Sequence, residues 1–217
     1  MFIGHFAVAL AAKRAAPAVS LGTLFLACQL ADLVWPNLVL AGIERFSIVP
    51  GITVVTPLNF EWYPYSHSLV ALAGWAGVVA LIYRAVRKAP AQALLVIGTL
   101  VISHWVLDVV SHRPDVPLTL GGDTRLGLGL WNSRPATVIV ELLMLVGGIV
   151  LYVATTRPID RIGTFAFQGL ILFLLAINIG NMYGPAPPSV AAVAWSAQAL
   201  WLVVAWGYWI DRHRITR

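Results

Sequence analysis

The sequence predicts an all-α, polytopic membrane bundle of about six spanning helices, preceded by a short N-terminal half-helix. Three observations carry this reading. Of the 217 residues, 59% are hydrophobic and only 11% are charged, whereas soluble domains carry about a quarter charged residues. Apolar runs of spanning length recur along the chain, each closed by basic residues or by a Gly/Pro-rich loop. The few ionisable residues inside those runs are His, Asp and Glu, and they fall at similar depths.

Taken in order, residues 2–12 form an apolar segment ending at Lys13-Arg14. Eleven residues rise only about 16 Å as a helix, roughly half of a hydrocarbon core. This segment is expected to be a half-helix or re-entrant piece bearing His5. The first full span is expected over about 18–42, opened by Pro17 and containing Asp32. A long loop over 43–65 carries Trp62, Tyr63 and Tyr65, which read as an interfacial aromatic cluster. Further spans are expected at about 66–83, 90–112, 135–156, 162–182 and 189–210. A second long loop, 113–134, is rich in Gly and Pro and separates the third span from the fourth. Asn178 and Asn181 in the fifth span are expected to bond across helices.

One membrane domain over 1–217 accounts for the length, with the chemistry concentrated in about 1–145 and the C-terminal helices over about 162–210. Cys28 is the only cysteine, so neither an internal disulfide nor a thiolate zinc site is expected. The N-terminus lacks a basic n-region, and no cleavable signal peptide is expected. The net charge of +5 is not a nucleic-acid signal, because the basic residues sit in short clusters between apolar runs. Ten Lys/Arg lie in the turns at 13–14, 84–88 and 157–161 and in the tail, against four, Arg45, Arg113, Arg125 and Arg134, on the other side. The positive-inside rule then makes the first side cytoplasmic. A bacterial inner membrane, with the site toward the extracytoplasmic face, is the expected location.

The stretch Ser103–Asp115 organises the chemistry. On a helix His104, Asp108 and His112 step by four residues, fanning over about 80° of one face. Counted from the nearest basic residue, Asp32 is 18 residues deep, His67 and His104 are 17 and Glu141 is 16. At 1.5 Å per residue these lie at one level, roughly 25 Å up. His5 fits less well, only eight residues from Lys13. An ionisable group inside a spanning helix costs about 2.5–3.5 kcal/mol on insertion scales. Several at one level need mutual compensation, and a divalent cation supplies it, since imidazole and carboxylate are good zinc ligands. The candidate metal ligands are His5, Asp32, His67, His104, Asp108 and His112, more than one tetrahedral ion takes. One or two Zn²⁺ ions are expected, some members serving to orient others. Asp115 or Glu141 is the candidate general base. Arg113, Arg125 and Arg134 are candidate phosphate clamps or, equally, interfacial anchors.

The ordered set Gly4-His5, Asp32, His67-Ser68 and His104-x-x-x-Asp108, over about 1–145, resembles the predicted membrane-bound metal-dependent hydrolases of the YdjM-like kind. That family is similar, at a distance, to zinc-dependent phospholipase C and the P1-type nucleases. The resemblance implies metal roles for Asp32, His67, His104 and Asp108, and a hydrolytic activity. The chain lacks the second His-x-x-x-Glu pair and the N-terminal Trp ligand of those relatives, which argues against a three-metal site. The expected substrate is a phosphoester or another lipid-like amphiphile, and membrane lipids are the expected surroundings. Two other classes remain open: a metal-ion or proton transporter, and a structural membrane protein whose site or hydrogen-bond network only holds helices together.

Overall fold

The computed structural model describes residues 1–217. It is an all-α bundle with three small two-stranded sheets at its ends. The long helices are α5 (Leu69–Arg87), α6 (Ala91–Ser111), α7 (Arg134–Thr155) and α8 (Arg161–Tyr183). With the pair α9 (Val190–Ala197) and α10 (Leu200–Arg212), five segments are long and apolar enough to cross a membrane. The number is six if the bent pair α2 (Leu21–Cys28) and α3 (Leu30–Leu40) forms one span. Leu81, Val86, Leu143, Leu172 and Leu202 are among the large apolar side chains on the outer surface. An exposed apolar belt of this extent is the surface of an integral membrane protein.

The half-helix α1 (Ile3–Ala12) is not peripheral. Ile3, Phe6 and Leu10 are wholly buried, and α1 lies at the centre, packed on α7, α2 and α6. Small residues permit this: a Cβ at Gly148 of α7 would run into the Ala7 backbone. Lys13, expected to mark the membrane surface, is itself buried. Its Nζ donates to the Val19 carbonyl at 2.7 Å and lies 3.5 Å from Asp211. The depth of His5 cannot therefore be measured from Lys13 as from an interface. Residues 14–20 form a loop, not helix, so Asp32 is about eleven helical residues from the α2 start, roughly 16 Å, not 18 residues deep.

The long loops are structured. The first holds the hairpin β1 (Arg45–Ile48) and β2 (Leu58–Trp62), followed by the short helix α4 (Pro64–His67). The second holds β3 (Val116–Pro117) paired with β4 (Arg125–Leu126), then a 3-10 turn at Leu130–Asn132. These define the hairpin end of the bundle. At the opposite, tail end, β5 (Thr156–Pro158) pairs with β6 (Arg214–Thr216). Arg214 there is buried over the Tyr152 and Phe167 rings and bonds the Thr156 hydroxyl.

Candidate metal centre

Six side chains meet where four helices converge. His5 comes from the first turns of α1, Asp32 from the first turn of α3, His67 from the end of α4, and His104 and Asp108 from α6. His112 is not on the helical face that spacing suggested. It caps α6 in extended conformation, and its ring is held by Trp131 at 4.2 Å and Phe60 at 4.9 Å between centroids. Its Nε2 still lies 3.8 Å from Asp108 Oδ1.

Asp108 is the hub. Its Oδ1 faces the Met1 amino nitrogen at 2.9 Å, His5 Nε2 at 3.1 Å and His112 Nε2. Its Oδ2 faces His104 Nε2 at 3.2 Å and His67 Nε2 at 3.8 Å. Asp32 Oδ1 lies 3.4 Å from His67 Nε2 and 3.8 Å from His104 Nε2. Two sets of donor atoms, His5–His104–Asp108 and Asp32–His67–His104, each fall within 4.8 Å of one another. The His5 and His104 rings stack at 3.9 Å, nearly parallel.

The far nitrogens of three imidazoles are all committed. His104 Nδ1 lies 2.7 Å from the Cys28 carbonyl; a carbonyl only accepts, so this nitrogen carries the proton. The break between α2 and α3, at Gln29, makes that carbonyl available: the two helices bend by 54° there, and no amide of α3 bonds it. His67 Nδ1 lies 2.7 Å from Ser66 Oγ, which donates to Glu44 Oε2 at 2.5 Å. Glu44 also accepts from the Tyr65 and Ser66 backbone. His112 Nδ1 lies 3.0 Å from Asp115 Oδ1. With Nδ1 bonded outward in each ring, the Nε2 atoms face inward, toward two carboxylates.

His104 Nε2 is fully buried, 3.2 Å from Asp108 Oδ2, yet makes no hydrogen bond. The outer serine–carboxylate and carbonyl partners are of the kind that orient metal-binding histidines. The donor set, imidazole nitrogens and carboxylate oxygens, could hold a divalent metal ion.

Other expected site residues are placed as follows. Asp115 does not line the cavity; it also accepts from Tyr63 Oη at 3.3 Å and Arg113 Nε at 3.0 Å. Glu141 does line it, while its carboxylate accepts from the backbone of Ile3 at 2.8 Å and Phe2 at 3.4 Å, capping α1. Arg113 is tied to Asp115 and Asn59. Arg125 bonds the Gly122 and Glu61 carbonyls. Arg134 alone of the three arginines lines the cavity. Tyr63 is no interfacial belt residue: it is buried against His67 and Phe60. The cavity encloses about 1020 Å³ and is walled by the 50–58 loop, α3, α6 and the C-terminal helices. Those helices thus share the site with residues 1–145.

Sequence reasoning missed Glu44, Ser66, Tyr63 and the Cys28 carbonyl. Ser66 sits directly before His67, a weak signal; nothing local marks the others.

No known protein family, no curated protein and no solved structure matches the chain. Fold and site define its class: a helical integral membrane protein with a buried His/Asp cluster open to a large cavity.

Proposed function

We propose that the protein is a membrane-embedded, zinc-dependent hydrolase of the YdjM-like kind, acting on a phosphoester or related amphiphile. The observation that carries this reading is the pinning of three imidazoles at Nδ1, which leaves their Nε2 atoms turned toward Asp32 and Asp108 beside a cavity. Each oxygen of Asp108 faces at least two imidazole nitrogens, so this carboxylate would be a ligand to any ion the cluster holds. His5, His104 and Asp108 would hold one ion, and Asp32, His67 and His104 another, with His104 common to both sets. Zinc, when bound, supplies a Lewis acid and an activated water near neutral pH. Glu141 lines the cavity, and its Oε1 accepts only a long bond of 3.4 Å from the Phe2 amide; it is the group we assign to take a proton. Asp115 positions His112 and takes no part at the reacting atoms.

The exposed basic residues at the tail end, Arg84, Arg87, Lys88, Arg157 and Arg161, favour a cytoplasmic location for that end. The site then opens toward the extracytoplasmic face of a bacterial inner membrane.

The test is a hydrolysis screen of protein purified in neutral detergent, zinc-loaded against chelator-stripped, on chromogenic phosphoesters, carboxylic esters and amides. The expected result is phosphoester cleavage that stripping abolishes and zinc restores, and that Asp108→Asn lacks. Zinc-loaded protein that cleaves nothing, or cleavage indifferent to stripping, overturns the hydrolase reading. Zinc flux into proteoliposomes in place of cleavage would establish the transporter.

A further inference from the structure

Three groups on the cavity wall have no role in the metal centre. Asn178 in α8 is 7% exposed, lines the cavity, and makes no hydrogen bond to any protein group. Its amide, with no protein partner, is open to the cavity and available to whatever occupies it. Arg134, at the first position of α7, lines the same cavity. One of its amino groups bonds the Val54 carbonyl at 2.6 Å and its guanidinium lies over the Tyr183 ring. Its buried Nε has no partner. Asn181, one turn from Asn178, also faces the cavity without a protein bond.

The cavity is graded along the bundle axis. Arg134 and the 50–58 loop stand at the hairpin end. Glu141, at the level of the His/Asp cluster, is seven residues further along α7, about 10 Å deeper. Beyond it the wall turns apolar. Phe173 lies ten residues, about 15 Å, from the hairpin end of α8, and Val203 lies thirteen, about 20 Å, from that of the α9–α10 segment. A cation at the mouth, ligating groups in the middle and an apolar lobe below complement a molecule with an anionic head and a hydrocarbon tail.

We infer that Arg134, with Asn178 and Asn181, is an oxyanion station that holds an anionic lipid head outward while its chain lies in the lobe formed by α8 and α10. This deepens the hydrolase reading and rests on it only for the claim that the ligand is a substrate; the binding itself involves no metal. The amino groups of an Arg fork suit a phosphate or carboxylate oxygen, and side-chain amides complete the shell. The occupant is a lipid, not a free anion, because the lobe offers apolar surface that inorganic phosphate would leave uncovered.

The probe is dodecyl phosphate, titrated into chelator-stripped protein in a neutral detergent and followed by thermal shift and native mass spectrometry. Inorganic phosphate and a neutral dodecyl glycoside serve as comparisons. Dodecyl phosphate is expected to bind wild type, and Arg134→Gln and Asn178→Leu to weaken it about tenfold or more. Arg125→Gln, outside the cavity, should leave it unchanged. Arg134→Lys, should the glutamine variant fail to fold, should recover only part of the affinity. A diazirine at the chain end should cross-link to α8 or α10. Equal affinity in the Arg134 and Arg125 variants, inorganic phosphate binding as tightly as the lipid, or cross-linking to the 50–58 loop would overturn the proposal. Lipid binding without zinc content would sink the hydrolase reading and leave the station standing; zinc-dependent cleavage without Arg134-dependent binding would do the reverse.

Discussion

Ser66→Ala removes one oxygen that no cavity ligand touches, and its effect on metal binding follows from the geometry. Ser66 Oγ is the sole acceptor for His67 Nδ1, and it couples that ring to Glu44. Without it the imidazole loses its fixed tautomer and orientation. Removing such an outer partner lowers metal affinity about 10–100-fold, which converts to roughly 1.4–2.7 kcal/mol. The stability cost is separate and modest. Glu44 retains its backbone donors from Tyr65 and Ser66, so about 1 kcal/mol is lost with the hydroxyl's bond. Ser68→Ala provides the matched control. Ser68 caps α5 through the Ala71 amide at 3.1 Å and touches no imidazole; its loss costs about 0.5–2 kcal/mol of stability. Zinc competition against a chromophoric chelator, with thermal melts alongside, separates the two effects. Ser66→Ala should lose affinity and Ser68→Ala should not. Equal affinity in both variants, with the fold intact, would refute the argument that His67 is held for a metal.

Other substitutions test different parts of the arrangement. Cys28 offers the site its carbonyl, while its thiol turns away toward the Phe25 carbonyl; Cys28→Ala should therefore keep full zinc content by elemental analysis. Gly148→Val places a branched side chain against the Ala7 backbone, prising α1 from α7 and moving His5. A lowered melting temperature with reduced zinc is the expected outcome, and a wild-type melt would show the contact to be dispensable. Glu141→Gln keeps one acceptor for the Ile3 amide but turns a second donor toward α1; a buried donor without a partner costs about 1–3 kcal/mol, read as a shift in detergent melts. If Glu141 also takes a proton, activity per zinc should fall far more than stability does.

The spans and the level of the ligands were legible because a helix has a fixed rise and the bilayer a fixed thickness. Counting residues therefore placed His67, His104 and Glu141 together. The same ruler failed at the N-terminus, where it assumed that Lys13 marks water. Lys13 is buried against Val19 and Asp211, and α1 lies inside the bundle with His5 at the cluster. The outer partners of the histidines were not legible. Glu44 reaches Ser66 from a loop, and Cys28 contributes only backbone, freed by a helix break that no Gly or Pro announces. Asn178 and Asn181 read as helix–helix bonding residues, since a polar group in a span must find a partner. The amphipathic pattern cannot show that their partner space is a cavity. His112 kept the spacing of a helical ligand although the helix ends just before it; Asp115, Trp131 and Phe60 hold its ring near Asp108.

Zinc stoichiometry across single-ligand variants bears most directly on the centre itself. His104 belongs to both donor sets, whereas Asp32 belongs to one. Purified wild type is expected to hold zinc, His104→Ala to lose it nearly completely, and Asp32→Asn to lose only part. Wild type that takes up no zinc, or three proteins with equal content, would contradict the account.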